Sequence, residues 1–308
     1  MPRKVIFVAD PGIDTAFAVA LALNDPQLDV IGLLPTAGNV PAEQATINVH
    51  TLIDVIDPPK WPKLAAALPA RYDSDGQALH GPGGLGGMTF PCAMRHALQP
   101  ADKILCELAH DYPKEVTLIN LGPLTTLATA LDREPALPAL LQQTVIIGGC
   151  WREPGNAGPV AEFHMHLDPE AAKRVMAAEL NPLLIPLDTT RKLIFSPTDL
   201  LELPNPDSRT CQFLRQIVPY GIRASSHLYG IEGFHLKDVL GTVAVAVAGC
   251  VTSDAFHVDV ETRGELTRGM TVIDARPGTR ATPNARVATG VAVADVRAYI
   301  NRILKAAH

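Results

Sequence analysis

Two carboxylates, Asp10 and Asp14, lie on the turn between the first apolar segment of the chain and the next. A carboxylate can bind a cation, act as a general base, or accept hydrogen bonds from the free N–H groups at a helix start. Helix capping alone explains one acid on such a turn. A pair of acids also suits a hard cation or the hydroxyl groups of a sugar. The turn is therefore a candidate functional site, with helix capping as the alternative interpretation.

Other polar side chains follow later apolar segments in the same way. Asn39 follows the second predicted strand, Thr125 and Thr126 follow the third, and Asn156 with Glu162 follows the fourth. The carboxyl ends of parallel strands meet at one edge of a sheet, where ligands bind in open α/β folds. Carboxylate, amide and hydroxyl oxygens suit Ca²⁺ or a polyhydroxylated ligand. The spacing thus predicts one polar site built from several strand ends.

The elements that must position these side chains alternate between strands and helices. Apolar runs predict strands at residues 5–8, 28–34, 116–120, 144–149 and 183–187. Periodic patterns predict helices at residues 15–23, 42–56 and 101–110, and from about 125 and 168. The last third is predicted to hold helices at 209–223, 236–248 and 294–305 and a strand pair at 256–260 and 270–274. This order predicts an α/β fold with an open, mostly parallel central sheet, helices on both faces, and one domain over residues 1–308.

Composition narrows the class of protein further. The chain of 308 residues is 47% hydrophobic and 19% charged, which suits a sheet covered on both faces. A net charge of −6 without a cluster of five basic residues argues against nucleic acid as a partner. No uninterrupted apolar run approaches the roughly 18 residues that would span a membrane, and nothing resembles a signal peptide. The five cysteines lie far apart without a C-x-x-C motif, so we expect a reduced, cytoplasmic protein.

Familiar catalytic motifs are absent from the sequence. The glycine-rich stretch from His80 to Gly87 follows no clear strand and lacks the lysine of a phosphate-binding loop. It is interpreted either as a flap over a site or as a plain surface loop. Without a G-x-S-x-G elbow, serine hydrolase chemistry has no support.

Residues 8–16, VADPGIDTA, resemble the signature D-x-D-P-G-x-D-D-A of the inosine–uridine-preferring nucleoside hydrolases. Further segments recur in the family's order, namely Gly38-Asn39, His80-Gly81 and residues 121–125, 154–156, 161–163, 168–172 and 261–271. Each segment is weak alone, but the ordered set is specific and covers essentially the whole chain.

The resemblance implies hydrolysis of the bond between ribose C1′ and a base nitrogen, through an oxocarbenium-like transition state. It implies a Ca²⁺ ion in the pocket, a nucleoside or related N-ribosyl substrate, and a homodimer or homotetramer. Asp10 would be a calcium ligand and the general base. The other implied metal positions are Thr15, the Thr125 carbonyl and Asp238. The implied substrate-binding residues are Asp14, Asn39, His80, Asn156, Glu162, His164 and Asp238.

Four positions depart from the family pattern: Val8, Thr15, His164 and Lys237. Thr15 matters most, because the family has a bidentate aspartate there and Ca²⁺ affinity depends on the number of charged ligands. Calcium should therefore bind more weakly, unless the Lys237 ammonium occupies the cation's place and pairs with Asp10 and Asp238. A third possibility is a softer transition-metal site built from His164, His166 and His235. Val8 is expected to be an ordinary buried residue.

Lys237 stands where many family members have a histidine that protonates the leaving base. With an ordinary pKa near 10.4, a lysine is a poor equivalent of that acid. Two alternatives to the hydrolase prediction stay open: a homologue that binds a nucleoside or sugar without efficient turnover, and a hydrolase of altered substrate whose leaving group needs a cation. Tyr229, His227 and Trp151 could flank a base or serve only in packing. Purine and pyrimidine preference are not separable from the sequence.

Overall fold

The computed structural model describes residues 1–72, 76–93 and 98–307. The strands are β1 Arg3–Ala9, β2 Leu28–Pro35, β3 Lys63–Leu64, β4 Val116–Asn120, β5 Gln143–Ile147, β6 Leu183–Ile185, β7 Ile194–Phe195, β8 Phe234–His235, β9 Val251–Val260, β10 Thr271–Asp274 and β11 Ala285–Val291. The helices are α1 Ile13–Asn24, α2 Ala42–Ile56, α3 Gln77–His80, α4 Ala101–Asp111, α5 Thr125–Arg133, α6 Leu137–Leu140, α7 Phe163–Leu167, α8 Pro169–Met176, α9 Leu187–Thr190, α10 Pro197–Leu201, α11 Arg209–Tyr229, α12 Val239–Ala246 and α13 Val293–Ala306.

In this described part of the chain, nine strands form one sheet in the order β10-β9-β11-β6-β5-β4-β1-β2-β3. Every neighbouring pair from β11 to β3 is parallel, and only β9 and β10 add antiparallel pairs at one end. The predicted α/β fold with a mostly parallel sheet is therefore confirmed. The carboxyl ends of β1, β2, β4 and β5 lie side by side at one edge, as the strand-end pattern requires.

Strand β1 lies inside the sheet and contributes to an apolar core on each side. Val5 and Phe7 pack with residues of α1, α11, α12 and α13 on one face, whereas Ile6 and Val8 pack with residues of α4, α5 and α8 on the other. This division follows from the alternation of side chains along a strand. Val8 is fully buried, in agreement with its expected role as an ordinary core residue.

The structure corrects several element boundaries. Strand β11 was not predicted, although it joins the antiparallel strands to β6. The fourth predicted strand ends at Ile147, because Gly148 and Gly149 turn the chain with positive φ values. Helix α11 continues to Tyr229 despite an internal Pro219. None of the helices among the described residues is both long and apolar enough to cross a membrane.

The C-terminal helix α13 is fixed to the end of α1 by a buried hydrogen bond. The Tyr299 hydroxyl donates to Asp25 Oδ2 at 2.8 Å, and Asp25 Oδ1 accepts from the Gln27 backbone N–H at 2.9 Å. Tyr299 and Asp25 are both buried, so loss of the hydroxyl leaves a carboxylate oxygen without its partner.

We expect Tyr299→Phe to lower the free energy of unfolding by about 1–2 kcal/mol, since a buried acceptor loses its donor. Urea-induced unfolding followed by circular dichroism measures the change. Tyr72→Phe is the matched control, because it removes a hydroxyl that donates to Glu170 at 3.2 Å on the surface. Equal effects of the two variants would show that the Tyr299 bond does not stabilise the fold.

Candidate active site

Asp10 is fully buried where β1 ends, between the ends of its two neighbouring strands. Its Oδ2 accepts from the Asn39 backbone N–H at 3.1 Å, and the Asn39 side-chain amide donates to the Asp10 carbonyl at 2.9 Å. Glycines face the carboxylate on both sides. A Cβ on Gly38 would overlap the Asp10 carboxylate, and one on Gly122 would lie 3.1 Å from its Cγ. The close approach of backbone fixes Asp10 at the sheet edge.

Asp14 is buried in the first turn of α1, and its Oδ1 has no hydrogen-bond partner among the residues that the structure describes. His80 Nδ1 is 3.8 Å from that oxygen and accepts from the Ile13 backbone N–H at 3.1 Å. Burial lowers the pKa of His80 to about 4, aided by the charge of Lys237. His80 is therefore a neutral side chain that caps α1, and Gly12 is required because a Cβ there would lie 2.7 Å from its ring.

The glycine-rich stretch after His80 packs against the first turn rather than standing away from it. A Cβ on Gly84 would lie 2.9 Å from the Pro11 carbonyl oxygen, and the Asn48 side chain donates to the carbonyls of both Pro11 and Gly83. These contacts give the stretch a supporting position beside the site.

Asp238 is buried immediately before α12 and is held by Thr15. The Thr15 hydroxyl donates to Asp238 Oδ2 at 2.5 Å, while Asp238 Oδ1 has no hydrogen-bond partner in the described part of the chain. Burial raises the pKa of Asp238 well above its ordinary value, and the nearby charges of Asp14 and Asp10 raise it further. Thr15, which stands where the family resemblance implies an aspartate, thus holds the Asp238 carboxylate in place and does not supply a carboxylate itself.

Glu162 caps the short helix α7. Its Oε2 accepts from the backbone N–H groups of Gly149, His164 and Met165 at 3.0–3.3 Å. Its other oxygen, Oε1, is 3.7 Å from His164 Nδ1. Asn156 Oδ1 accepts from the Phe163 backbone N–H at 2.8 Å, so both predicted sugar-binding residues also shape this loop.

His164 is the cationic neighbour of Asp10. Its Nε2 is 3.4 Å from Asp10 Oδ2, and its Nδ1 is 3.2 Å from the Ile147 carbonyl oxygen. Burial lowers the pKa of His164, but the charges of Glu162 and Asp10 outweigh burial and raise it to about 10. The expected pairing of Lys237 with Asp10 is therefore not what the structure shows, since the imidazole holds that position.

Lys237 lines a cavity of about 310 Å³ beside the acidic cluster. The other lining residues are Leu79, Asn156, Leu187, Arg191, Ser225, Tyr229, Ile231, Phe234 and His235. Most of these walls are apolar, with polar groups at Asn156, His235 and the two cations. The charges of Asp14, Asp238 and Glu162 more than offset burial and raise the pKa of Lys237, so its ammonium stays charged.

The sequence left open whether Tyr229 flanks a base or serves only in packing, and in the structure Tyr229 lines the cavity. Trp151 instead packs on Phe256, with ring centroids 5.1 Å apart. Arg191 was not predicted as a site residue. Its position after β6, at the same edge of the sheet, is the signal that could have identified it. It donates to the backbone carbonyls of Pro154 and Gly155 and so anchors the loop that bears Asn156.

The structure shows other contacts for two sets of residues that the sequence suggested as metal ligands, namely Thr125 and the pair His164 and His166. Thr125 donates its hydroxyl to Asp168 Oδ2 at 2.6 Å, and its carbonyl accepts from the Thr129 hydroxyl at 2.8 Å. The backbone packed against Asp10 is that of Gly122 instead. His164 and His166 lie on helix α7 rather than on a strand, so they do not share a face, and His166 contacts the Arg268 carbonyl.

Comparisons with known proteins agree with this geometry. A family model described as inosine-uridine preferring nucleoside hydrolase matches residues 5–298. A protein of that name from Leishmania major is 31% identical over 284 residues, which cover 90% of this chain and 89% of the relative. The non-specific ribonucleoside hydrolase RihC of Salmonella enteritidis is 32% identical over 301 residues, covering 97% and 96%. The solved purine-preferring ribonucleoside hydrolase from Gardnerella vaginalis matches with a TM-score of 0.92 at 25% identity, over 99% of each chain.

These matches, together with the fold, define the class of the protein as a hydrolase of N-glycosidic bonds. The chain belongs to the inosine-uridine preferring nucleoside hydrolase family. Its reaction is hydrolysis of the bond between ribose and base in ribonucleosides.

The family resemblance implies a metal ion, which needs several oxygen donors close together. Within residues 1–72, 76–93 and 98–307, no three His, Cys, Asp or Glu side chains form a group that could hold a metal as they stand. Nevertheless, the buried Oδ1 atoms of Asp10, Asp14 and Asp238 have no hydrogen-bond partner among the described residues. Three such carboxylate oxygens suit a hard cation chemically, although they are not gathered into a preformed cage.

We expect Thr15→Val to lower the free energy of unfolding by about 1–3 kcal/mol, because it leaves buried Asp238 Oδ2 without a donor. Thr15→Ser keeps the hydroxyl, so its free energy of unfolding should fall much less. Urea titrations in calcium-free buffer measure both variants. If the valine variant is as stable as the serine variant, the Thr15–Asp238 bond does not hold the site together.

Proposed function

We propose that Asp10 is the general base of ribonucleoside hydrolysis. The observation that carries this proposal is its full burial at the carboxyl end of β1, near the buried carboxylates of Asp14 and Asp238 and 3.4 Å from His164 Nε2. Burial raises the pKa of Asp10, and although His164 opposes the shift, the carboxylate is left a better proton acceptor than one in water. A water oxygen attacks ribose C1′ and its proton passes to Asp10. The C1′–N bond breaks, and its electron pair leaves with the base.

Sugar-binding roles are proposed for Asp14, Asn39, Asn156 and Glu162. Asp14 Oδ1 has no hydrogen-bond partner, and Asn156 lines the cavity directly. Glu162 uses Oε2 to cap α7, which leaves Oε1 for a hydroxyl donor. Carboxylates held by backbone bonds are rigid acceptors, so they can orient ribose without reorganising during the reaction.

We propose Ca²⁺ as the metal, held chiefly by Asp10 and Asp238. When bound, Ca²⁺ would position the sugar hydroxyls and the attacking water. Asp10, Asp14, Glu162 and Asp238 supply four carboxylates against the two cations His164 and Lys237, a donor set that favours a divalent cation. Thr15 supports the site by holding Asp238 Oδ2 while Oδ1 stays free. Thr15 and the Thr125 carbonyl remain candidate neutral ligands on the resemblance alone.

The remaining expectations concern the whole molecule. We propose that residues 1–308 form one domain, because β1 and β11 lie in the same sheet although they come from opposite ends of the chain. A homodimer or homotetramer follows from the family resemblance, and light scattering after gel filtration tests it. A cytoplasmic location follows from the cysteine content.

Asp10→Asn should lower kcat for ribonucleosides by roughly 10³-fold or more, because an amide cannot accept the proton of the attacking water. Ligand binding should be mostly retained, since the side chain keeps its shape. Steady-state kinetics with uridine and inosine, and calorimetric titration with ribose, measure the two effects. Asp29→Asn, which removes a surface ion pair with Lys60, is the control. Unchanged turnover in Asp10→Asn would remove Asp10 from the mechanism.

Thr15→Asp should tighten calcium binding by roughly tenfold or more, since it adds a charged ligand position. Calorimetric titration of the chelator-treated protein measures the affinity, and the Tm with and without calcium measures the coupling to folding. Thr198→Asp adds the same charge at an exposed position of helix α10 and should change neither. If Thr15→Asp binds calcium more weakly than the native chain, the site is arranged around something other than calcium.

A further inference from the structure

Lys237 lies where the cavity meets the acidic cluster. It lines the cavity, and the next residue is Asp238. Among the described residues, no hydrogen bond and no ion pair within 4.0 Å involves its ammonium. The second cation of the cavity, Arg191, is committed to the carbonyls of Pro154 and Gly155. Lys237 is therefore the cation that can face a ligand.

The surroundings of Lys237 strengthen the field that it exerts on a bound base. Leu79, Leu187, Ile231 and Phe234 supply apolar walls, which lower the local dielectric. The cavity also holds polar groups of Asn156, Ser225, Tyr229 and His235, and the buried Nδ1 of His235 has no hydrogen-bond partner among the described residues. A flat heterocycle would thus meet apolar surface on its faces and one uncommitted positive charge at its edge.

A base can leave ribose in two ways. It can take up a proton from an acid before the bond breaks, or it can leave as an anion that a cation stabilises. An ordinary lysine, with a pKa near 10.4, is charged at neutral pH and gives up its proton reluctantly. A fixed positive charge acts on the charge that develops in the transition state, which is the condition for raising kcat.

We propose that Lys237 stabilises the leaving base as its anion, so that this chain favours ribosides of pyrimidine-dione bases over those of purine bases that need protonation. The inference rests on the proposed role of Asp10. The proton of water passes to Asp10, and the electron pair of the C1′–N bond stays on the base nitrogen beside the Lys237 ammonium. The released base anion then takes a proton from solvent, so no other reactant is required.

The test compares three substrates in five proteins. Uridine releases its base as a pyrimidine-dione anion, whereas the purine base of inosine needs protonation before it leaves. 4-Nitrophenyl β-ribofuranoside releases 4-nitrophenolate, which is a stable anion without assistance. The variants are Lys237→Met, Lys237→Arg and Lys237→His, compared with the native chain. Lys103→Met, which alters an exposed residue of α4, is the matched control. Circular dichroism and Tm verify that each variant is folded.

We expect Lys237→Met to lower kcat for uridine by roughly 10²-fold, with KM changed little, but to lower kcat for the nitrophenyl riboside less than tenfold. Lys237→Arg should restore most of the uridine rate, and Lys237→His should shift the uridine-to-inosine ratio of kcat/KM towards inosine. Equal losses on uridine and the nitrophenyl riboside, or an effect on KM alone, would overturn the role of Lys237 while leaving Asp10 in place. Failure of the native chain to hydrolyse any of the three would instead contradict the proposed function.

Discussion

Exclusion of the Asp10 carboxylate from water is the constraint on which the rest of this site depends. A buried carboxylate is stable only where hydrogen bonds and opposite charges replace its hydration. The Asn39 N–H and the His164 imidazole supply these partners from the ends of two other elements. Gly38 and Gly122 are small because the backbone itself packs on the carboxylate. The loops after β2, β4 and β5 are thus fixed by one side chain on β1.

The same constraint explains why several predicted ligand-binding residues also have structural partners. Glu162 caps α7, His80 caps α1, and Asn156 fixes the backbone of its loop. Each uses one polar atom to hold a loop and leaves another for a ligand. Rigid support of this kind is what precise placement of a sugar requires, because a loosely held acceptor would lose much of its effect on the reaction.

The sequence predicted the elements that carry the site more accurately than the atoms that complete it. The ends of β1, β2 and β4, which precede Asp10, Asn39 and Thr125, follow from long apolar runs, which depend little on tertiary context. Strand β11 was missed because Arg286, Thr289 and Gly290 interrupt its apolar pattern, while its stability comes from pairing with β6 and β9. The direction of a side chain is harder still to predict.

His164 illustrates that limit. Its spacing from His166 suggested a shared strand face, but Glu162 starts a helix there and turns the two rings apart. A capping glutamate two residues before His164 was visible in the sequence, although its three backbone partners depend on the fold of Gly148-Gly149. The contact of His164 with Asp10 joins the end of β1 to helix α7, and no local pattern encodes it.

The departures at Thr15, His164 and Lys237 all shift the charge of the cluster in one direction. Relative to the family pattern, Thr15 removes a negative charge, and Lys237 brings a permanent positive charge in place of an ordinarily neutral imidazole. His164 adds another positive charge where the pattern has an amide, because neighbouring carboxylates raise its pKa to about 10. Asp10, Asp14 and Asp238 nevertheless stay buried and keep unpartnered oxygens. Random loss of a site would remove these costly buried carboxylates first. The pattern therefore favours an active site that retains Asp10 as the proton acceptor. In this site the cations His164 and Lys237 neutralise more of the carboxylate charge, and a metal ion neutralises less of it.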